Sequence, residues 1–507
     1  MSVGNRIIHL FEGEQKGLFS QANPSLIPDG FLANLRGGDL NTYGMITKAM
    51  GRANTATGLT DGRARRLAFF DPVGGTKVLT AFQAGRLSVW PNTGTWSDIA
   101  TGVTEEPMDI LQAGNYQFFF QRSDNVRYYD GVTLTTAGDT NTDLPRTRYA
   151  VYMLGWLLPF GSAAFPDGLY FGTNGTPLTG WNRTSNRLTI GAGEGGDSTG
   201  AKPWSNQDLI LTKETRIYAV TIDSATPSAW PITPITSDIG CISGRTLQQV
   251  GQDFFFLSQP EGVLSLLQSA QDKKRGSSDA ISYPVDDLIR RINWQYAKDV
   301  ACATFWRGQY ILSVPLDSSQ VNNVTLVFNL RSKGWSRIDY GFADFSIGRF
   351  DSNPKLYSAY GVAATGGVNL EESGYDDRGA AVSWIYETKR VSGPNGGPMP
   401  HIWKRGGEVE FFFESTGAYA VTIDAAIDGG GYTNLGTMTL TGTLPQLPID
   451  LPFNLADQNL SRGKFNLDVL GRYRDIQFRA QNAETGAQIK LVRAIASMIP
   501  MEYVRDL

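Results

Sequence analysis

The chain has 507 residues, of which 41% are hydrophobic and 19% charged, and its formal net charge is −4. This composition is typical of globular proteins and excludes both an intrinsically disordered chain and a chain-wide basic surface for nucleic acid. The 57 Gly, 24 Pro, 20 Tyr, 26 Phe and 11 Trp predict many short strands separated by turns.

No apolar run reaches the roughly 18 residues of a membrane-spanning helix. Residues 1–11 show no basic region followed by an apolar stretch and a small-residue cleavage site, so we expect no signal peptide. The sequence therefore predicts a protein that is made and assembled in a cytosol.

Residues 1–58 are predicted to form an irregular N-terminal arm. The turn-rich run Asn23–Gly30 leads to Ala33–Leu40 and then to Ile46–Arg52, without sustained helical or strand periodicity. An arm of this kind either reaches a neighbouring subunit or wraps around its own fold.

Residues 59–390 carry a loose repeat of short apolar strands and turns, recurring about every 45–60 residues, which is near the spacing of propeller blades. Runs such as Phe118–Phe120 and Phe254–Phe256 fit strands that are buried on both faces. We therefore predict an all-β, propeller-like domain, with Leu356–Tyr360 in a weaker seventh unit. A set of β-sandwiches is the alternative.

One helix is predicted near residues 284–297, inserted in the repeat. Its apolar residues follow three- and four-residue spacing: Val285, Leu288, Ile289, Ile292 and Tyr296. Pro284 suits a first helical turn, and Asp286 and Asp287 suit the positive end of the helix dipole.

The run Val391–Pro400 is rich in Gly and Pro and predicts a linker. The segments after it alternate in polarity, among them Glu408–Phe413, Ala420–Ala425 and Arg474–Ala480. Residues 391–507 are therefore predicted to form a separate C-terminal β-sandwich.

The motifs in the sequence predict no enzyme, no cofactor and no metal site. His9 and His401 accompany no Gly-x-Ser-x-Gly turn, and the run Gly191–Asp197 lacks the Lys of a phosphate-binding loop, so we interpret it as flexible. Cys241 and Cys302 are too few for a zinc site and are expected to be buried.

Glycosidases need two carboxylates, so pairs of adjacent acids are candidates for the catalytic residues of a glycosidase. Asp286 and Asp287 begin the predicted helix, and Asp376 and Asp377 are expected in a solvated loop. Gly94-Thr95-Trp96 keeps only the end of a sialidase-type box, and Gly334-Trp335 keeps less. A glycosidase is therefore the second alternative function.

Two basic clusters are expected to be solvated loops, or else contacts to DNA phosphates or an acidic neighbour. They are Lys273–Arg275 and the group Arg63, Arg65 and Arg66.

The order of motifs in residues 250–340 resembles the tail nozzle and tail-tube stabilisation proteins of short-tailed bacteriophages. The resemblance rests on five segments, of which the first is the arm from Asn23 to Arg52. The others are Phe255–Val263, Ser278–Ile281 before the helix, Gln309–Pro315 with Asn322–Asn329, and Lys333-Gly334-Trp335.

This resemblance implies a structural virion protein that forms a ring, usually of six copies, below a tail adaptor. DNA would leave through the ring without sequence-specific binding, and a fibre, spike or needle protein would attach outside. The helix and the N-terminal arm are the expected subunit contacts. The first alternative is a receptor- or carbohydrate-binding propeller, in which Trp181 and Trp204 could stack on sugars.

Overall fold

The computed structural model describes residues 6–12, 15–59, 64–223, 226–272, 280–360, 367–393, 400–441 and 460–501. Strands make up 48% of the chain and helices 7%, which confirms the predicted all-β class. Arg63, Lys273–Arg275 and the centre of the predicted linker lie outside the described residues.

The N-terminal segment contributes five strands, namely β1 (Arg6–Glu12), β2 (Leu32–Arg36), β3 (Gly38–Asp39), β4 (Ile46–Lys48) and β5 (Arg52–Asn54). All of them join sheets of the same chain. The predicted arm is thus irregular between these strands, and its described part wraps around its own fold, which is one of the two predicted arrangements. The strands β3, β4 and β5 have only two or three residues each, too few to show a periodicity in sequence.

Six blades follow, each built from consecutive antiparallel strands. The first is β6 (Ala64–Phe70), β7 (Val78–Gln83), β8 (Arg86–Trp90) and β9 (Ser97–Ala100); the second is β10 (Asp109–Ala113), β11 (Tyr116–Phe120), β12 (Arg127–Tyr129) and β13 (Leu134–Thr136); the third is β14 (Tyr149–Met153), β15 (Trp156–Phe160), β16 (Gly168–Tyr170) and β17 (Arg187–Thr189).

The fourth blade is β18 (Ser198–Pro203), β19 (Asp208–Lys213), β20 (Ile217–Thr221) and β21 (Ile232–Thr236); the fifth is β22 (Gln248–Val250), β23 (Asp253–Ser258) and β24 (Gly262–Ser265). After the helices α1 (Leu266–Asp272), α2 (Asp286–Arg290) and α3 (Trp294–Val300) comes the sixth, β25 (Cys302–Trp306), β26 (Gln309–Val314), β27 (Val324–Asn329) and β28 (Gly334–Ile338). Short 3-10 turns cover Pro227–Ala229, Gly244–Thr246, Tyr283–Val285 and Asp468–Leu470.

A closing sheet completes the ring. It consists of β29 (Phe342–Gly348), β30 (Lys355–Tyr360) and β31 (Val368–Glu371), extended by β5 and by the short β32 (Asp376–Asp377) and β33 (Ala380–Ala381). Its first strand, β29, lies against β6 of the first blade. The structure is thus the predicted β-propeller, closed by a sheet that combines its two ends.

The predicted single helix over 284–297 is wrong. The chain forms two short helices, because the backbone between them bonds to the loop after β26 instead of continuing a helical ladder. Ile292 forms a β-bridge with Leu316, and the Asn293 N–H donates to the Pro315 carbonyl at 2.9 Å.

The start of this helical region is as predicted. Pro284 lies in the 3-10 turn, and Asp286 and Asp287 lie in the first turn of α2. Asp287 also accepts a hydrogen bond from the Ser20 hydroxyl, so the helix holds the N-terminal segment of its own chain.

Two sheets form the predicted sandwich. Their C-terminal strands are β34 (Trp384–Thr388), β35 (Lys404–Glu414), β36 (Ala420–Ile427), β37 (Tyr432–Thr439), β38 (Leu460–Asn466), β39 (Arg472–Tyr473), β40 (Ile476–Asn482) and β41 (Lys490–Pro500). One sheet has the order β3-β4-β41-β35-β38, with β1 also on β41 and β39 also on β35. The other includes β34, β40, β36 and β37, and Trp384 meets Phe413 of the first sheet edge to face at 6.1 Å.

The second of these sheets continues without interruption into the sixth blade. Its nine strands have the order β25-β26-β27-β28-β2-β34-β40-β36-β37. A boundary at residue 391 therefore does not separate two independent units, because strands from before and after it share this sheet and one apolar core. We call the junction of β28, β2 and β34 the seam.

Arg52 on β5 closes the propeller ring. Its side chain is fully buried and forms an ion pair with Asp377 at 3.2 Å. Its guanidinium lies 3.5 Å from the centre of the Tyr340 ring, which adds a cation–π contact in a desolvated site.

We expect Arg52→Ala to lower the free energy of unfolding by about 3 kcal/mol, because it leaves Asp377 without its buried partner and opens a gap beside Tyr340. Arg405→Ala, at an exposed position on β35, should change it by less than about 0.5 kcal/mol. Urea unfolding of both variants measures this difference, and equal effects would show that Arg52 does not hold the closure.

Candidate functional site

The innermost strands of the propeller bring charged side chains together at one end of its axis. Arg66 stands on β6, Asp109 on β10, Lys202 on β18 and Asp344 on β29, while Arg245 precedes β22. Strand β6 contacts both β10 and β29, and β18 contacts the 3-10 turn that contains Arg245, so residues far apart in sequence become a single cluster. We call these five residues the axial cluster.

Arg66 bridges two acids from blades on either side of it. It lies 2.5 Å from Asp109 and 3.1 Å from Asp344, and Arg245 lies 2.9 Å from Asp344. Backbone N–H groups also donate hydrogen bonds to the two carboxylates: that of Leu67 to Asp344 at 2.8 Å, and that of Ala150 to Asp109 at 3.1 Å. The cluster therefore ties the first strands of several blades to one another.

Burial alone would raise the pKa of Asp344, but the adjacent guanidinium groups of Arg245 and Arg66 outweigh it and lower that pKa below 3.8. Asp344 is thus an anion at neutral pH. Burial, with repulsion from Arg66, lowers the pKa of Lys202 to about 8. The Lys202 ammonium donates to the Gln248 amide oxygen at 3.0 Å.

A cavity of about 280 Å³ opens over this cluster. The cationic side chains that line it are Arg65, Arg66, Arg148, Arg245 and Lys298, and the anionic ones are Glu106, Asp109 and Asp299. Several lining residues belong to connections between successive blades, which places the cavity at that end of the propeller. We call it the axial cavity.

Most of these charges are already paired. Arg148 forms an ion pair with Asp299, and Arg65 forms one with Glu105 at 2.9 Å. Lys298 is exposed at the cavity and forms no ion pair with any described residue. The arrangement can bind a small polar molecule with a preference for an anion.

Sequence reasoning noted Arg65 and Arg66 only as a solvated basic cluster or as contacts to another molecule. The structure places Arg66 within a strand, paired with acids of its own chain, so the solvated interpretation is wrong for this residue. The axial acids carried no signal of their own, because single polar residues at strand starts look like turn residues in sequence.

The two carboxylate pairs that the sequence suggested as glycosidase candidates lie outside the axial cavity. Asp286 pairs with Arg290 on α2. Asp377 pairs with the buried Arg52 and belongs to β32, which corrects the expectation of a solvated loop. None of these acids lines the axial cavity.

The other residues singled out from sequence have structural positions. His9 lies on β1 and His401 in the turn before β35, and neither lines the axial cavity. The Gly-rich loop Gly191–Asp197 wraps the buried Lys213, whose ammonium donates to the carbonyls of Gly191 at 2.8 Å and Glu194 at 2.6 Å. That loop therefore caps a lysine of the fourth blade.

The two tryptophans considered as sugar platforms are structural. Trp181 is only 5% exposed in the core of the second and third blades, and its indole N–H donates to the Pro177 carbonyl at 3.1 Å. Trp204 is half-buried and donates to the Gln252 carbonyl at 3.0 Å. Trp96 and Trp335, from the two box fragments, are also buried.

No group of three or more His, Cys, Asp or Glu side chains among the described residues could hold a metal ion. No helix in the same part of the chain is long and apolar enough to cross a membrane.

No family model matches the chain, and the comparison with curated proteins found no match. Among solved structures, the WD40 β-propeller domain of Doa1 is similar with a TM-score of 0.39 and 10% identity, over 63% of this chain and 96% of that chain. YCF48 from Cyanidioschyzon merolae has a TM-score of 0.36 and 10% identity, over 64% and 98%.

An exo-β-1,3-galactanase from Phanerochaete chrysosporium has a TM-score of 0.28 and 11% identity, over 89% of this chain and 100% of that chain. Likenesses of this size carry no argument about activity or partners. The propeller is defined by its own strand order and ring closure.

We expect Asp344→Asn to lower the free energy of unfolding at pH 7 by about 3 kcal/mol, because Arg66 and Arg245 then share no buried anion. The folded-state pKa of Asp344 lies below 3.8, so its contribution is present above that pH and is lost as the pH falls through the folded-state value. The difference from the parent protein should therefore shrink on acidification.

Urea unfolding at neutral and at acidic pH measures this difference. Asp71→Asn is the matched control, because Asp71 is 47% exposed in its pair with Lys77 and should contribute at most about 1 kcal/mol. Equal losses in both variants would contradict the importance of the axial cluster.

Cys241 and Cys302 are fully buried and unpaired, as expected from sequence. Burial raises the pKa of the Cys241 thiol to about 11 and that of Cys302 to about 12. Because the thiolate is the reactive form, a thiol reagent should label neither residue in the native protein and both after denaturation. Cys302→Ala should halve the denatured signal, and rapid native labelling would contradict the packing of the fifth and sixth blades.

Proposed function

We propose that this protein is a structural component of the tail of a short-tailed bacteriophage, a tail nozzle or tail-tube subunit. It assembles in the host cytoplasm into a ring of about six copies below the tail adaptor and remains in the virion. DNA leaves through the ring, and a fibre, spike or needle protein attaches outside.

The observation that carries the proposal is the position of the segments that resemble nozzle proteins. The arm segment supplies β2, which pairs in parallel with β28 through Arg36 and Arg337. The Leu18 N–H donates to the Trp335 carbonyl at 2.7 Å, and the Trp335 indole donates to the Ile281 carbonyl at 2.9 Å. Segments widely separated in sequence thus form one unit at the seam.

The seam suits a subunit that has to withstand mechanical force. A continuous nine-stranded sheet couples the propeller to the sandwich through backbone hydrogen bonds, so force on either part is carried by the main chain. The charge of −4 also suits a duct wall that DNA crosses without adhering.

The duct of such a ring lies between subunits. Within each subunit the axial cluster fills the propeller axis, and the axial cavity above it, at about 280 Å³, has room for one small molecule. A duplex therefore has no path through an individual propeller.

The alternatives lose support from the site. A glycosidase needs a protonated acid beside a second carboxylate, whereas Asp344 is held as an anion and Asp109 pairs with Arg66. A carbohydrate-binding propeller that stacks sugars on Trp181 is disfavoured because that side chain is buried. We therefore propose a protein without catalytic activity.

The mass of the purified protein in solution, alone and with its tail adaptor, tests this proposal. We expect a ring of about six copies, formed by the protein itself or on the adaptor. A monomer that joins no tail complex would contradict the proposal, and release of reducing sugar from a glycan would favour the glycosidase.

A chain that lacks its N-terminal residues is a poor sample for this assay. Deleting residues 1–22 removes β1 and the contact between Leu18 and Trp335, so it would damage the fold as well as any subunit contact. Loss of assembly after that deletion is therefore not diagnostic, and the intact chain is the sample to use.

A further inference from the structure

A cavity of about 310 Å³ lies beside the start of β28, a strand of the seam, and is lined by cations without acids. Its charged lining residues are Lys16, Arg331 and Lys333, and no Asp or Glu is among the described residues that line it. All three side chains are exposed, and none forms an ion pair with a described residue. The arginines of the axial cavity, by contrast, are paired with acids. We call the cavity beside β28 the cationic pocket.

The backbone brings the two lysines of this pocket together. Gly17 forms a parallel bridge with Trp335, so Lys16 lies beside Gly334, and the residue before Gly334 is the second lysine. A Cβ atom on Gly334 would lie 2.7 Å from the backbone of Lys16, which is the close approach that glycine permits. The buried Leu40 packs against both glycines and forms the apolar floor of the pocket.

The turn between β27 and β28 carries the other cations and is held by its own hydrogen bonds. The Asn329 amide oxygen accepts from the backbone N–H groups of Arg331 at 3.0 Å and Ser332 at 2.9 Å. The Gly334 N–H donates to the Ser332 hydroxyl at 3.3 Å. The cationic side chains are therefore not needed to hold the turn, and they present their charge to the pocket.

Tyr43 is the aromatic residue of the pocket. It lies in the loop between β3 and β4, and its side chain is 66% exposed. The Arg331 guanidinium lies 5.0 Å from the centre of its ring, a cation–π contact that orients the ring. An exposed aromatic ring beside unpaired cations is the arrangement by which proteins stack a nucleic-acid base and hold its phosphate.

The charges, the ring and the volume restrict the ligand. A phosphate matches a guanidinium and an ammonium together. An acidic side chain of another protein would also meet the cations, but it offers nothing to stack on Tyr43. The volume of about 310 Å³ suits one nucleotide. Duplex DNA keeps its bases stacked inside the helix, so they do not reach the ring and a passing duplex is not held.

We propose that the cationic pocket binds a nucleotide, with its phosphate on Arg331 and Lys333 and its base stacked on Tyr43. Lys16 adds a third positive charge at the rim, where its ammonium lies 5.6 Å from the centre of the Phe31 ring. The binding involves no covalent step and does not rest on the proposed tail function. The nucleotide is either free or one unit of a single-stranded nucleic acid.

Calorimetric titration of the full chain with thymidine monophosphate tests the proposal. We expect saturable binding, and binding at least about tenfold weaker for thymidine, which lacks the phosphate, and for inorganic phosphate, which lacks the base. Equally tight binding of inorganic phosphate or of a short polyglutamate peptide would show that charge alone is recognised and would overturn the proposal. Absence of nucleotide binding would overturn it as well.

Variants locate the binding. Tyr43→Ala should weaken nucleotide binding about tenfold because it removes the stacking surface, and Arg331→Gln about tenfold because it removes a charge-assisted donor. The matched controls are Tyr283→Ala and Arg405→Gln, at exposed positions that do not line the pocket, and both should bind like the parent. Because all four side chains are exposed, we expect the variants to fold. Unchanged affinity in either pocket variant would overturn the proposal.

A single-stranded oligothymidylate distinguishes the two sources of the nucleotide. Binding at least as tight as that of thymidine monophosphate supports one unit of a single-stranded nucleic acid, and binding of the monophosphate alone supports a free nucleotide. A chain that fails to form a ring still binds the nucleotide if this inference is right, so the two proposals fail separately.

Discussion

The ring of blades depends on how its axis is filled. Arg66 pairs there with Asp109 and with Asp344, so it joins three sheets, and Arg245 also pairs with Asp344. Removing one partner of such a buried network leaves an uncompensated buried charge, which costs about 3–5 kcal/mol.

The axial cluster has two consequences for function. It closes the propeller to any passage along its axis, and it fixes the acids of the axis in ion pairs, where they are poorly placed for acid–base chemistry.

The second constraint is the seam. A propeller and a sandwich joined by a flexible linker would move independently, whereas here β2 and β34 complete one sheet with the sixth blade. The arm that provides β2 also provides β5, which closes the propeller, and β1 and β4, which extend the other sandwich sheet. One N-terminal segment thus holds all parts of the molecule together.

The second strands of the blades could be predicted from sequence, because the runs Phe118–Phe120 on β11 and Phe254–Phe256 on β23 are buried on both faces. The innermost strands β18 and β22 could not, because their residues, Ser198–Pro203 and Gln248–Val250, carry little apolar signal. For the same reason the axial cavity could not be predicted. Its residues come from many parts of the chain, and only ring closure brings them together.

Electron microscopy of the assembly proposed for this protein, a ring on a phage tail adaptor, is the most direct test, because it locates the duct. We expect a ring of subunits with a central opening between them, and closed density along the axis of each propeller where Arg66 meets Asp109 and Asp344. A particle in which DNA passes through a single propeller would contradict this expectation, as would a tail in which this protein forms no ring.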